Sequence, residues 1–259
     1  MTPGVVLLAL ASATMWLLFT RWVRLPANPA LALVSAYSGA AMAKAGVVRG
    51  LERIREGLNF SRGNGLAVTL LFVVIGPMIG LAAGYLLVIG MTWIIRRAQP
   101  GRVVFWSTRL QLASAALAVT TGAANEVQKT SGMLIASLLA SGYASDAAHS
   151  GWVIAGPVAA YILGMSVAAR RRESRSHARR RRRTAFCADL GTAFAIAVST
   201  GFGIPVASSE VTVATAAGVV STRSFKAVRW GVLNPIISSW FVTVPACAVA
   251  GFVLVASFA

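Results

Sequence analysis

Two stretches of this chain, Pro3 to Thr20 and Gly65 to Ile95, contain no Asp, Glu, Lys, Arg or His. Uncharged apolar runs of that length have few folded destinations, because about 20 such residues in a helix match the hydrocarbon thickness of a bilayer. Hydrocarbon offers the backbone no hydrogen-bond partner, so a chain that enters it closes its own bonds, most economically as a helix. The composition agrees: of 259 residues, 57% are hydrophobic and 12% charged, against roughly 25% charged in a soluble domain. Mean hydropathy is +0.72. The expected fold is an all-α integral membrane protein, a helical bundle of roughly six to eight transmembrane segments.

The formal charge of +17 is concentrated, most of all in RRRESRSHARRRRR from Arg170 to Arg183. A nucleic-acid or protein contact is one reading of such a run. The other is that a basic block between two apolar segments marks a cytoplasmic loop under the positive-inside rule and attracts anionic lipid headgroups. The second is adopted, with no nucleic-acid partner. Cys187 and Cys247 lie far apart in apolar surroundings and read as packing residues. His149 and His177 have no ligand partners at metal spacing, so no metal site is expected. No signal-peptidase site follows the first segment, which reads as a retained span. The excess of Arg over Lys and the abundance of Ala hint at a bacterial plasma membrane.

Along the chain the expected spans are Val5 to Thr20, Ala30 to Val48, Gly65 to Ile95, Leu110 to Ser141, Trp152 to Ala169, an interrupted stretch from Ala185 to Val220, and Val232 to Val255. Arg49 to Arg62 mixes charged and apolar residues as an interfacial segment does. Gly76-Pro77 predicts a tilt or kink in the third span. Arg96, Arg97, Arg102 and Arg109 predict an aqueous cytoplasmic loop, which places Asp146 outside. GFGIPVASSE, from Gly201 to Glu210, has basic residues on both sides of its apolar stretch and predicts a re-entrant hairpin or two short broken helices.

The segments also repeat. RLPANPALALVSAYSGA (Arg24 to Ala40) aligns with GIPVASSEVTVATAAGV (Gly203 to Val219), so that Pro26 meets Pro205 and Gly39 meets Gly218. FVVIGPMIGLAAGYLLV and WFVTVPACAVAGFVLV share an aromatic, a proline (Pro77 or Pro245) and a small-residue face. Paired, Gly/Pro-interrupted apolar segments in two halves are the sequence sign of a transporter whose site lies between repeats. The chain accordingly divides into a first-repeat remnant (1–95), a motif segment (96–169), a basic loop (170–184) and a second-repeat turn with the last span (185–259).

Two segments carry polar chemistry. In GAANEVQKTSG, Glu126 and Lys129 stand at i and i+3 and can pair. Charge inside a membrane is costly and marks a cavity or a functional site by default, although an ion pair that only joins helices is the alternative. Asn125 and Gln128 add more hydrogen-bonding capacity than one pair uses. In GIPVASSE, Pro205 interrupts a helix while Gly201 and Gly203 let the backbone bend, freeing amides beside Ser208 and Ser209 as an anion cradle. A kinked packing helix with its hydroxyls bonded back to its own carbonyls is the plainer reading. Glu210 would bind a cation or repel an anion.

These motifs and their order resemble the inorganic phosphate transporter (phosphate permease) family. Asn125, Gln128, Lys129 and Gly132 match its H-G-x-N-D-x-Q-K-x-x-G signature, and Gly203, Ile204, Pro205 and Val206 match its G-[IL]-P-[VT]-S-T-T-H signature. Val228 to Gly231 with Trp240, Thr243 and Pro245 match a V-R-W-G and S-W-x-x-T-x-P stretch. The resemblance implies two inverted repeats and uptake of orthophosphate with a coupling cation, Na⁺ or H⁺. It implies that Asn125, Gln128, Lys129, Ser208 and Ser209 meet phosphate, and that Glu126, Asn125 and Glu210 meet the cation. The sequence departs from the family at Gly122-Ala123 for His-Gly, at Glu126 for Asp, and at Ala207 to Glu210 for Ser-Thr-Thr-His. The first-half turn, Ala27 to Leu31, has no hydroxyl, and the family's first N-D motif is absent, as if the chain started two or three helices late. Transport would then take a homo-oligomer, or a second permease half that supplies the motif. The other reading is a non-transporting partner or regulatory subunit. No enzyme motif, Walker phosphate loop or Asp-rich metal site is present in the sequence, so neither an enzyme nor an ATP-driven pump is expected.

Overall fold

A computed structural model of the chain describes residues 2–23, 25, 27–47, 66–142, 151–172, 182–204, 206–228 and 230–258. Its elements are helices: α1 (Pro3–Val23), α2 (Pro29–Ala45), α3 (Leu66–Ile95), α4 (Pro100–Ala140), α5 (Trp152–Arg172), α6 (Arg182–Gly201), α7 (Ser208–Ser221) and α8 (Leu233–Phe258). Two 3₁₀ turns, Phe225–Ala227 and Trp230–Val232, precede α8. The expected interfacial segment Arg49 to Arg62, Asp146, His149, His177, Pro205 and the arginine run over 173–181 lie outside the described residues.

Among the described residues, five stretches are long and apolar enough to cross a membrane: Pro3–Val23, Val73–Ile95, Gly101–Leu139, Thr184–Gly201 and Ile237–Phe258. Trp152–Val167 is a shorter apolar stretch. The 14-residue α7 falls short of the roughly 17 to 25 residues that span a bilayer, and the 17-residue α2 sits at the lower limit. Pro77 lies inside α3, whose 30 residues exceed what a vertical crossing needs. One expectation is corrected. Arg102 and Arg109 do not stand in a loop, because α4 begins at Pro100 and carries both. Proline fits a first helical turn, where its missing N–H is not needed, and arginine is a good helix former, so nothing between them stops the helix. Only Arg96 to Gln99 separate α3 from α4.

The chain forms two compact units, one of Met1–Leu71, Gly132–Ser150 and Arg229–Ala259, the other of Phe72–Ser131 and Gly151–Val228. Each contains a helical hairpin with a third helix against it. In the first, Val5 and Ala9 near the start of α1 cluster with Ala40 near the end of α2, while Ala13 meets Ala32 and Ala36. The two helices therefore double back. Val255 and Cys247 of α8 complete these clusters. In the second, Cys187 and Ala188 at the start of α6 meet Val219 at the end of α7, and Ala195 and Ile196 meet Val206 and Val211. Here α3 completes the clusters through Ile79, Leu87 and Val88. The interruption expected at 201–210, as a re-entrant hairpin or two short broken helices, is the turn between an antiparallel α6–α7 pair.

The two hairpins agree at constant register. Ile204 N–H donates to the Ser199 carbonyl at 3.0 Å across the α6–α7 turn, and Leu25 N–H donates to the Thr20 carbonyl at 2.8 Å across the α1–α2 turn. A Cβ on Gly218 would overlap the Leu81 carbonyl of α3, as one on Gly39 would overlap the Ala248 carbonyl of α8. Likewise Gly84 lies against the Thr215 carbonyl and Gly251 against the Ala36 carbonyl. Backbones this close need small residues, and helices in lipid are held by such packing in the absence of a hydrophobic driving force between them. The repeat reaches further than the sequence alignment from Arg24 to Ala40, since α1 corresponds to α6. Chain order differs between the units: α8 follows its hairpin, whereas α3 precedes its own.

Candidate functional site

Between α6 and α7 the chain leaves helical geometry at Phe202 to Ile204 and at Val206 and Ala207. The end of α6 is closed by a Schellman turn: Gly203 takes φ 72°, its N–H donates to the Thr200 carbonyl at 2.9 Å, and Ile204 supplies the bond to Ser199. Glycine is suited to that left-handed position because it has no Cβ to collide with the neighbouring carbonyl. The residues after the turn need partners from elsewhere. Val206 is fully buried, and an unpaired buried backbone group is costly.

Asn125, from the middle of α4, supplies both partners. Its Oδ1 accepts from Val206 N–H at 3.3 Å and its Nδ2 donates to the Val206 carbonyl at 2.9 Å. The side chain is fully buried and pairs with one residue of the break as an adjacent strand would. Nδ2 also donates to Ser208 Oγ at 2.9 Å, and Ser208 Oγ donates to Glu126 Oε1 at 3.2 Å. Lys129 Nζ reaches the same carboxylate oxygen at 2.8 Å, giving the expected i, i+3 ion pair. The Lys129 side chain is 6% exposed and that of Glu126 36%, so the ammonium is the deeper member of the pair. Gln128 Nε2 donates to the Thr200 carbonyl at 3.3 Å, adding a tie from α4 to the last turn of α6. Ser131 Oγ donates to the Val153 carbonyl at 3.0 Å and ties α4 to α5.

The structure thus brings Asn125, Glu126, Gln128, Lys129 and Ser208 into one cluster. Ser209 is exposed on the first turn of α7, outside this chain of bonds. Glu210 is buried on the same turn, where a carboxylate suits the positive end of a helix. Two participants are not visible in the sequence. One is the backbone of Val206, which gives Asn125 its partners; the other is Thr200, whose carbonyl receives Gln128. Gln128 Oε1 and Thr200 Oγ1 are buried and meet no hydrogen-bond partner among the described residues. Such oxygens are rare in folded interiors and suit a small hard cation or a polar ligand. In the other unit, Thr243 of the third matched stretch joins two helices, since its hydroxyl accepts from the Trp16 indole N–H at 3.3 Å and clasps α8 to α1.

Helices of membrane-spanning length, two equivalent hairpins and a charged, hydrogen-bonded cluster at a helix break define a multi-pass membrane protein built from repeats. The comparisons give the family: the phosphate transporter family model matches residues 1–251, and the chain belongs to that family. It is 30% identical over 251 residues to a probable low-affinity inorganic phosphate transporter of Rhizobium meliloti, covering 95% of this chain and 72% of that protein. A protein of the same description from Bacillus subtilis is 26% identical, with the same coverage of each chain. Sodium-dependent phosphate transporter 1 of Rattus norvegicus is 34% identical over 73 residues, 28% of this chain and 11% of that one. No solved structure matches the chain. The family is one of transporters, not of enzymes.

Proposed function

We propose that this chain carries inorganic phosphate across the bacterial plasma membrane, coupled to Na⁺ or H⁺, with its site at the α6–α7 break beneath Asn125. The observation that carries the reading is the chain of bonds from the Val206 backbone through Asn125 and Ser208 to Glu126 and Lys129. It holds a carboxylate, an ammonium, an amide and a hydroxyl at an interrupted helix inside an apolar segment, where polar groups mark a transport path. Lys129, Asn125, Gln128, Ser208 and the exposed Ser209 are the donors for the anion. Glu126 and Glu210, with Asn125 Oδ1, are the oxygens for the cation, and the open oxygens of Gln128 and Thr200 extend that set. The basic run of 170–183 faces the cytoplasm. The chain works as a homo-oligomer, or beside a second permease half that supplies an N-D motif.

The test is radiolabelled phosphate uptake by cells devoid of their own phosphate transporters, expressing this chain or its Glu126→Gln variant. The amide oxygen of Gln can still accept from Lys129 and Ser208, so the variant should fold and insert while losing the charge. Uptake by the parent chain, lost in the variant, is the expected result. If the parent inserts and no phosphate enters, the chain does not transport alone and is either one half of a transporter or a non-transporting membrane subunit. Collapsing the Na⁺ gradient or the pH gradient separately identifies the coupling ion.

A further inference from the structure

The turn joining α3 to α4 carries a second binding feature, away from the Asn125 cluster. The end of α3, the start of α4 and the start of α6 enclose an open groove of about 610 Å³, within the range of about 300–1,000 Å³ usual for ligand sites. Its walls are apolar, with Met91 and Ile94 from α3, Trp106 and Leu110 from α4, and Phe186 and Leu190 from α6. Arg102 is the charged member of its lining. Between Leu86 and Ile95 the groove follows α3 for about 14 Å at 1.5 Å per residue, close to the depth of one leaflet of a roughly 30 Å hydrocarbon layer.

Charge selects the occupant. Arg96 and Arg97 are exposed on the turn beside Arg102, and the arginine run of 170–183 leads in sequence to the α6 end of the groove. The sequence from Leu66 to Asn125 contains no Asp or Glu, and Asp189 of α6 does not line the groove. Trp93 and Phe105 sit at this end with Arg96 and Arg109 stacked over them at 4.5 Å and 4.2 Å from the ring centres. Aromatic and basic residues together are what a helix presents at headgroup level. A symmetric second copy laid on this groove would set its arginines against these. We propose that the groove binds one anionic glycerophospholipid, with an acyl chain along Met91, Ile94 and Trp106 and its phosphodiester on Arg102.

Native mass spectrometry of the full chain, delipidated in mild detergent and titrated with phosphatidylglycerol or phosphatidylcholine of the same acyl chains, tests this. The first lipid should bind about fivefold more tightly as phosphatidylglycerol, the preference that one interfacial arginine confers. Arg102→Gln should erase the preference, weakening phosphatidylglycerol more than phosphatidylcholine, whose choline cation already offsets the charge of the phosphodiester that Arg102 meets. Gly90 lines the groove, and a Cβ there would meet nothing within 4 Å. Gly90→Phe can therefore occupy the groove without displacing backbone, and should weaken both lipids alike, with far-UV circular dichroism confirming the fold. Equal affinity of the parent chain for the two lipids overturns the proposal, as does a folded Gly90→Phe variant that binds like the parent, or a dimer that excludes lipid. Should Gly90→Phe not fold, the Arg102→Gln titration alone decides.

Discussion

Asn125 stands in for a neighbouring strand with one side chain, and its removal should be felt out of proportion to its size. Asn125→Ala leaves the Val206 N–H and carbonyl buried without their partners, at about 1–3 kcal/mol for each group so exposed. Thermal unfolding should fall accordingly, and hydrogen exchange should speed up over Phe202 to Ala207 while α1 and α2 keep their protection. Unchanged exchange there would mean that the break holds itself. Asn125→Asp keeps the acceptor for the Val206 N–H but sets a buried carboxylate against the Val206 carbonyl, so it should cost at least as much. At this scale the sequence disclosed which residues are polar in an apolar segment, and the spacing of Glu126 and Lys129 disclosed their pairing. It did not disclose that Asn125 faces backbone, because the Val206 groups it satisfies belong to a residue whose side chain is only an apolar neighbour. Nor did it show that Ser208 directs its proton to Glu126, since a hydroxyl's partner depends on what the fold brings beside it.

At the scale of helices, the hairpins stand on glycines that admit a carbonyl of the facing helix. Gly218→Ala and Gly39→Ala must each push two backbones apart, with a penalty of about 1–3 kcal/mol or more for overpacking. Gly156→Ala, where nothing lies within 4 Å of the added carbon, should instead be neutral or gain up to about 1 kcal/mol from helix propensity. Folded yield and melting temperature of the three variants in detergent check the contrast; equal losses would refute the close-approach argument. Gly203→Ala should cost about 1–2 kcal/mol through its left-handed backbone. The interruption at 201–210 was legible because Gly and Pro announce a break. The kinship of α1 with α6 was not, because those helices share small apolar positions and no distinctive residue. The α4 start is hidden in the sequence for a related reason: arginines suggest water, yet an arginine on a helix that reaches the interface satisfies both its helix and its charge.

For the whole molecule, the antiparallel α6–α7 pair returns the chain to the end from which it came, so the residues following α7 should lie on the same side as the basic run preceding α6. Single cysteines at Arg97 and Arg223, in a background with Cys187 and Cys247 replaced by Ala, should react with an impermeant maleimide in inside-out vesicles and not in intact cells. Labelling of Arg223→Cys from outside would show that the α6–α7 pair crosses instead of returning. The difference in chain order between the two units bears on how the protein is made. The third helix of one unit is synthesised before its hairpin, so that unit can close as soon as α7 leaves the ribosome. The other hairpin emerges first and must wait for α8. Its small-residue face lacks α8 until residues 233–258 are made, so a chain that stalls before Leu233 should leave the α1–α2 pair open to quality-control proteases.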